Sequence, residues 1–320
     1  MSIDTVLIKV PWFTKISKES KMTQKIITMN SIGKSGFDYG LFGGGTNGSY
    51  TAYTYKYTYS NSVVTPGTVL GLARRWLSAC GNSIIGIFGG GYSGSYTDYT
   101  DKYTYGNNAV VAGTVLGAAR RGSTACGNSI VGIFGGSYNS VPSTYTDKYT
   151  YSNNVVVAGT VLGLARGFLS ACGTSVIGIF GGGNTGGPTT TYTDKYTYSN
   201  NVVVAGTVLR LARGYLGACG NYTVGIFGGG YTGGVSAYTD KYTYNNDVVV
   251  SGTVLGLVRS GTEAAGNLVV GIFSGGDDGG IVYYSYTDKY TFSNNVVATG
   301  TILGLARSGH AAISSQPGHL

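Results

Sequence analysis

Seven residues in the variable stretches of this 320-residue chain have side chains suited to recognition or catalysis: Arg75, Trp76, Arg121, Phe168, Tyr215, Glu263 and His310. A guanidinium forks onto carboxylates and hydroxyls, and flat aromatic rings supply most of the energy of many binding surfaces. Acid–base chemistry has fewer candidates. The chain has two His, both in its last eleven residues, and Glu263 is a lone acid near any of these positions. The four cysteines, Cys80, Cys126, Cys172 and Cys219, stand 46 or 47 residues apart, without the close pairing that a zinc site uses. Reduced, metal-free thiols and no cofactor are therefore expected.

The cysteine spacing is one sign of an internal repeat. A Gly-Ile-Phe-Gly-Gly-Gly string recurs with its Phe at Phe42, Phe88, Phe134, Phe180, Phe227 and Phe273, in steps of 46, 46, 46, 47 and 46 residues. Tyr-Thr-Asp-Lys-Tyr-Thr-Tyr follows, with its Lys at Lys56, Lys102, Lys148, Lys195, Lys241 and Lys289. Each unit closes on Arg74, Arg120, Arg166, Arg213, Arg259 or Arg307.

Within one unit the signals are strands and turns. Ser123–Cys126 reads as a short strand, residues 127–129 as a turn, and Ile130–Phe134 as a second strand broken by Gly135-Gly136. Tyr145–Tyr151 alternates with period two, residues 152–154 turn the chain, and Val155–Leu162 reads as a fourth strand. Six such units predict an all-β fold, a six-bladed β-propeller of four-stranded antiparallel blades over 35–320. The chain enters the first unit at its second strand, and the segment after Arg307 has the form of a first strand. The C-terminal strand is expected to complete the first blade, which removes two open edges.

A Gly-Gly after the second strand, a Tyr in the third and an Arg after the fourth resemble kelch repeats, over about residues 35–317. The chain's nearly identical repeats resemble those of kelch-like proteins of bacteria and phages. It departs from the kelch pattern where an aromatic is expected early in the fourth strand, since Val64, Val110, Val156, Val203, Val249 and Val297 stand there. The resemblance implies a propeller and, as one function, a cytoplasmic adaptor for protein partners.

Charge narrows the partners. Only 11% of the residues are charged and the net charge is +8. Half of that excess lies in residues 1–34, whose six Lys face Asp4 and Glu19. In the rest of the chain, twelve of fifteen bases occupy the repeated Lys and Arg positions, spread around the disc. No nucleic-acid stripe is expected there. No signal peptide or membrane span is read in the sequence. The basic stretch 1–34 reads as a tether to a larger protein assembly holding multiple copies.

Positions alike in all units build the blade, and variable ones are free to read a ligand. The repeated Arg and Asp read as structural, pairing blades or satisfying loop carbonyls. The Val-rich fourth strands read as packed between blades, with an apolar rim facing another subunit as the alternative. Variation gathers in the second-to-third and fourth-to-first loops, which share one face. The seven residues named first lie in the latter set, and the expectation is that they form a ligand-binding face.

A non-enzymatic binding or structural module follows: a virion component such as a phage tail or decoration protein, or an adhesin, attaching to a surface glycan or protein. The localisation expected is the virion, with the cytoplasm as the alternative. A sialidase-like glycoside hydrolase is a further alternative, but Arg75, Arg121 and Glu263 are its only candidates on the variable face. A galactose-oxidase-like copper site needs two His with Tyr ligands, and the His positions oppose it.

Overall fold

The computed structural model describes residues 37–315, so the tether assigned to 1–34 lies outside the described residues. The described chain forms six four-stranded antiparallel sheets and no helix. Blades 2 to 6 each run in sequence order, beginning with inner strands Ser78–Gly81, Thr124–Gly127, Ser170–Gly173, Gly217–Gly220 and Glu263–Gly266. Blade 1 takes its second to outer strands from Tyr39–Gly43, Thr54–Thr58 and Val64–Pro66, and its inner strand from Ala311–Ser314. In that clasp Leu41 sits opposite Ile313 and Phe42 opposite Ala312. The inner strands neighbour one another in a closed ring around the axis.

Six apolar cores lie between blades. One contains Cys80, Ile85 and Ile87 of blade 2 with Phe134, Tyr149 and Tyr151 of blade 3. Alternation sends successive residues of one strand to opposite neighbours, so Ile87 faces one core and Phe88 another. The buried cysteines show why glycine recurs in the second strand. A Cβ at Gly132 would lie 2.2 Å from Cys80 Sγ, and the same clash repeats between Gly178 and Cys126. All four cysteines are free and buried, and burial pushes the Cys80 thiol up to about 12.

The repeated arginines join blades. Arg74, at the close of blade 1, reaches Asp101 in the third strand of blade 2 at 2.7 Å, with both side chains wholly buried. It also donates to the carbonyls of Phe88 and Gly90. Arg120–Asp147, Arg166–Asp194, Arg213–Asp240 and Arg259–Asp288 repeat the pair. Blade 1 has Tyr55 in place of the Asp, and there Arg307 donates to the carbonyls of Gly44 and Tyr53 while its guanidinium lies over the Tyr55 ring. On the rim, Lys102 donates to Asn154 of the next blade at 3.1 Å, and Lys195 pairs with Asp247 at 2.7 Å.

Two local expectations are corrected. The fourth strand is shorter than the apolar run, Val155–Ala158 in blade 3, because the chain leaves the sheet edge at Gly159 and turns Leu162 into the core. Packing between blades also explains only part of the valine. Val156 packs against the core, but Val155 and Val157 are about half exposed. Among the described residues no further strand or blade lies beyond the outer strand, and its exposed valines form an apolar rim.

Candidate ligand-binding face

The fourth-to-first connections build this face in layers, counted from each repeated arginine. Two residues after it stand Trp76, Gly122, Phe168, Tyr215, Gly261 and Gly309, all with φ between 54° and 62°. Glycine takes that left-handed conformation without cost, whereas a bulky side chain there is strained by about 1–2 kcal/mol. The conformation turns each peptide toward its neighbour. The amide of Gly122 donates to the Trp76 carbonyl, Phe168 to Gly122, Tyr215 to Phe168, Gly261 to Tyr215, Gly309 to Gly261 and Trp76 to Gly309, at 2.6–3.0 Å. A closed ring of six backbone hydrogen bonds thus caps the axis.

One residue after the repeated arginine lies a wider ring, Arg75, Arg121, Gly167, Gly214, Ser260 and Ser308. Its backbone pairs with the second-to-third loops, as in Arg75 with Tyr92, Gly214 with Tyr231 and Ser260 with Asp277. Blades 6 and 1 therefore offer Ser-Gly where blade 2 offers Arg75-Trp76. The small residues leave a cavity of about 340 Å³, at the lower end of the range for ligand pockets. Arg75, Trp76, Tyr215 and Tyr231 form its walls, and Ser260, Asp277 and Ser308 also line it.

The aromatic residues come together from separate blades. Phe168 and Tyr215 stack with centroids 4.2 Å apart, and Trp76 meets Phe168 edge-on at 5.6 Å. Phe168 is buried, because its ring lies over Gly122, where a Cβ would come within 2.6 Å of it. It forms a base between the partly exposed Trp76 and Tyr215. The guanidinium of Arg75 lies 3.7 Å from the Trp76 ring centroid and that of Arg121 4.6 Å from it. Burial raises the Tyr215 hydroxyl above its ordinary pKa, opposed by the charges of Arg121 and Arg75.

Asp277 is the polar centre of the cavity. Its Oδ1 accepts from Ser260 Oγ at 2.8 Å and from the Gly279 amide at 2.9 Å, and its Oδ2 accepts from Ser308 Oγ. Asp277 lies in a second-to-third loop and is not among the seven residues expected to form the site. The available signal was its offset: it stands four residues after Phe273, where Tyr92, Tyr138 and Tyr231 stand after their own Phe.

Glu263 and His310 lie below the ring, a correction to their expected place on the surface. His310 is wholly buried, bonded through Nε2 to Ser274 Oγ at 2.8 Å. Burial holds its pKa well below the ordinary value, helped by the charges of Arg307 and Arg259. Glu263 lines two axial cavities of about 20 Å³ each, enough for a water apiece. Burial raises its carboxyl well above the usual carboxylate range. The offset explains both: His310 is three residues and Glu263 four residues past the repeated arginine, and each step leads down the inner strand.

Among the described residues no cluster of three or more His, Cys, Asp and Glu is placed to hold a metal ion, and no helix is long and apolar enough to cross a membrane. No family model and no curated protein matches the chain.

Proposed function

We propose that this propeller is a non-enzymatic recognition module that binds a surface saccharide in the cavity between blades 5, 6, 1 and 2. The observation that carries the reading is the pair of partly exposed aromatics, Trp76 and Tyr215, kept in a backbone conformation that glycine fills at three equivalent positions. Strain of this kind clusters at functional sites. Sugar rings present flat apolar faces to such aromatics, and Asp277, Ser260 and Ser308 supply hydrogen bonds for hydroxyls. Hydrolysis by the usual mechanism needs two carboxyl groups flanking the bond. Among the described residues Asp277 is the one carboxylate lining this cavity, and three donors already hold it.

The kelch relationship belongs to the same proposal, supported by the Gly-Gly, Tyr and Arg positions and by the inter-blade role of that Arg. So does the setting in a larger assembly, such as a virion tail used for host attachment with residues 1–34 as tether. The apolar rim, with Val157 and Val204 each 50% exposed, favours protein neighbours around the disc.

The test is a double variant, Trp76→Gly with Tyr215→Gly, which removes both rings and keeps the left-handed backbone. Binding to a panel of immobilised oligosaccharides should fall more than tenfold, because hot-spot aromatics contribute about 2 kcal/mol or more each. Unchanged binding by the double variant refutes the reading.

A further inference from the structure

The binding face holds two cations that the fold's own ion pairs leave over. Five of the six repeated arginines meet a buried carboxylate, and the sixth, Arg307, donates through Nη1 to two carbonyls. Arg75 and Arg121 have no carboxylate partner among the described residues. Arg121 donates from Nε to the Tyr138 carbonyl at 3.1 Å. The Arg75 guanidinium makes no hydrogen bond there, and its Nε is buried without a partner. Rings hold it in place instead, Trp76 at 3.7 Å and Tyr50 at 5.6 Å. An aromatic clamp fixes the direction of a guanidinium while leaving its fork unused.

Asp277 lines the same cavity. Two carboxylate oxygens offer about four acceptor sites, and three are taken by Ser260, Ser308 and Gly279. The cavity thus presents an unused planar cation, a carboxylate with acceptor capacity left, and aromatic walls. A neutral sugar leaves Arg75 unmatched. A doubly charged group meets repulsion from Asp277.

We propose that Arg75 binds the carboxylate of an acidic saccharide whose hydroxyls bond to Asp277 across the cavity, while Arg121, on the Trp76 ring and outside the cavity lining, adds positive charge nearby. The proposal rests on the saccharide reading above and narrows it to sugar acids. A carboxylate matches the guanidinium fork with two coplanar oxygens.

The experiment measures binding of the full chain to oligogalacturonate and sialyllactose, to the same probes with their carboxyl groups reduced to alcohols, and to a sulfated galactan fragment free of uronate. At least one acidic probe should bind, and its reduction should weaken binding at least tenfold. Arg75→Gln should cause a similar loss on the acidic probe and change binding to the reduced one less than twofold. Arg75→Lys should recover only part of the affinity, since an ammonium cannot fork, and Arg121→Gln should give a smaller loss. Should Arg75→Gln fail to fold, Arg75→Lys and Arg121→Gln make the comparison. Equal binding of acidic and reduced probes, preference for the sulfated probe, or indifference to the Arg75 variants overturns this proposal and leaves the saccharide reading standing. Binding to none of the probes overturns both.

Discussion

The amide of Trp76 donates to the carbonyl of Gly309 at 2.6 Å, so the first connection of the propeller is tied to its last. That bond is one of six equivalent ones around the axis, and it requires a left-handed backbone at every position. Three positions meet the requirement with glycine and three with an aromatic residue.

This asymmetry predicts an unusual order of stabilities at Tyr215. Tyr215→Gly loses the stacking on Phe168 and relieves the backbone, whereas Tyr215→Ala loses the stacking and keeps the strain. The glycine variant should be more stable than the alanine variant by about 1 kcal/mol, read from chemical denaturation. An alanine variant as stable as the glycine one would remove strain from the account of this ring.

Asp101 neutralises Arg74 and accepts from the Gly71 amide at 2.7 Å. Asp101→Ala leaves a wholly buried guanidinium without its anion and should cost about 3–5 kcal/mol of stability. Blade 1 tolerates Tyr55 at the equivalent place because its ring takes the position of the carboxylate and lies under the Arg307 guanidinium, whereas an Ala at 101 offers Arg74 neither a charge nor a ring.

Glu263 gives a pH dependence with a definite sign. Its carboxyl is raised in the folded state above the usual value near 4.5, so unfolding releases a proton once the pH exceeds that value. Stability from this group is fully present below about 4.5 and is lost as pH rises toward the folded pKa. Glu263→Gln should therefore be more stable than the parent at pH 7–8 and gain nothing at pH 4. Thermal melts at the two pH values measure this, and an equal shift at both contradicts it.

The clasp makes a prediction about solubility. Removing residues 307–320 takes away the inner strand of blade 1 and the guanidinium that binds Gly44 and Tyr53. The edge of Tyr39–Gly43 would then be open, with Leu41 and Phe42 no longer covered by Ile313 and Ala312. Aggregation is expected, visible by size-exclusion chromatography. A soluble, fully folded truncation argues against the clasp as a stabilising element.

The period near 46, the six units and the completion of the first blade from the C-terminus were legible in the sequence, because strand, turn and breaker residues recur at fixed offsets. The inter-blade role of the repeated Arg was legible for the same reason. Six identical side chains at one offset face equivalent places between blades, five of them occupied by an Asp and one by Tyr55.

The candidate site was legible only in part. Arg75, Trp76, Arg121, Phe168 and Tyr215 could be picked out as departures from the repeat, but their depth could not. Which of them lines the cavity, and that Phe168 lies beneath Tyr215, depends on ring closure, which places residues more than 200 positions apart side by side at Trp76 and Gly309. Burial of His310, and the place of Glu263 on the axial cavities, follow from how the inner strands descend along the axis. Exposure of Val155 and Val157 follows from their place on an outermost edge. The cavity itself is a property of no single unit: it exists because blades 6 and 1 carry Ser-Gly beside neighbours that carry Arg-Trp and Gly-Tyr. Local sequence determined the blade, and closure of the ring decided which side chains share a space, since only closure sets distances between units that are remote along the chain.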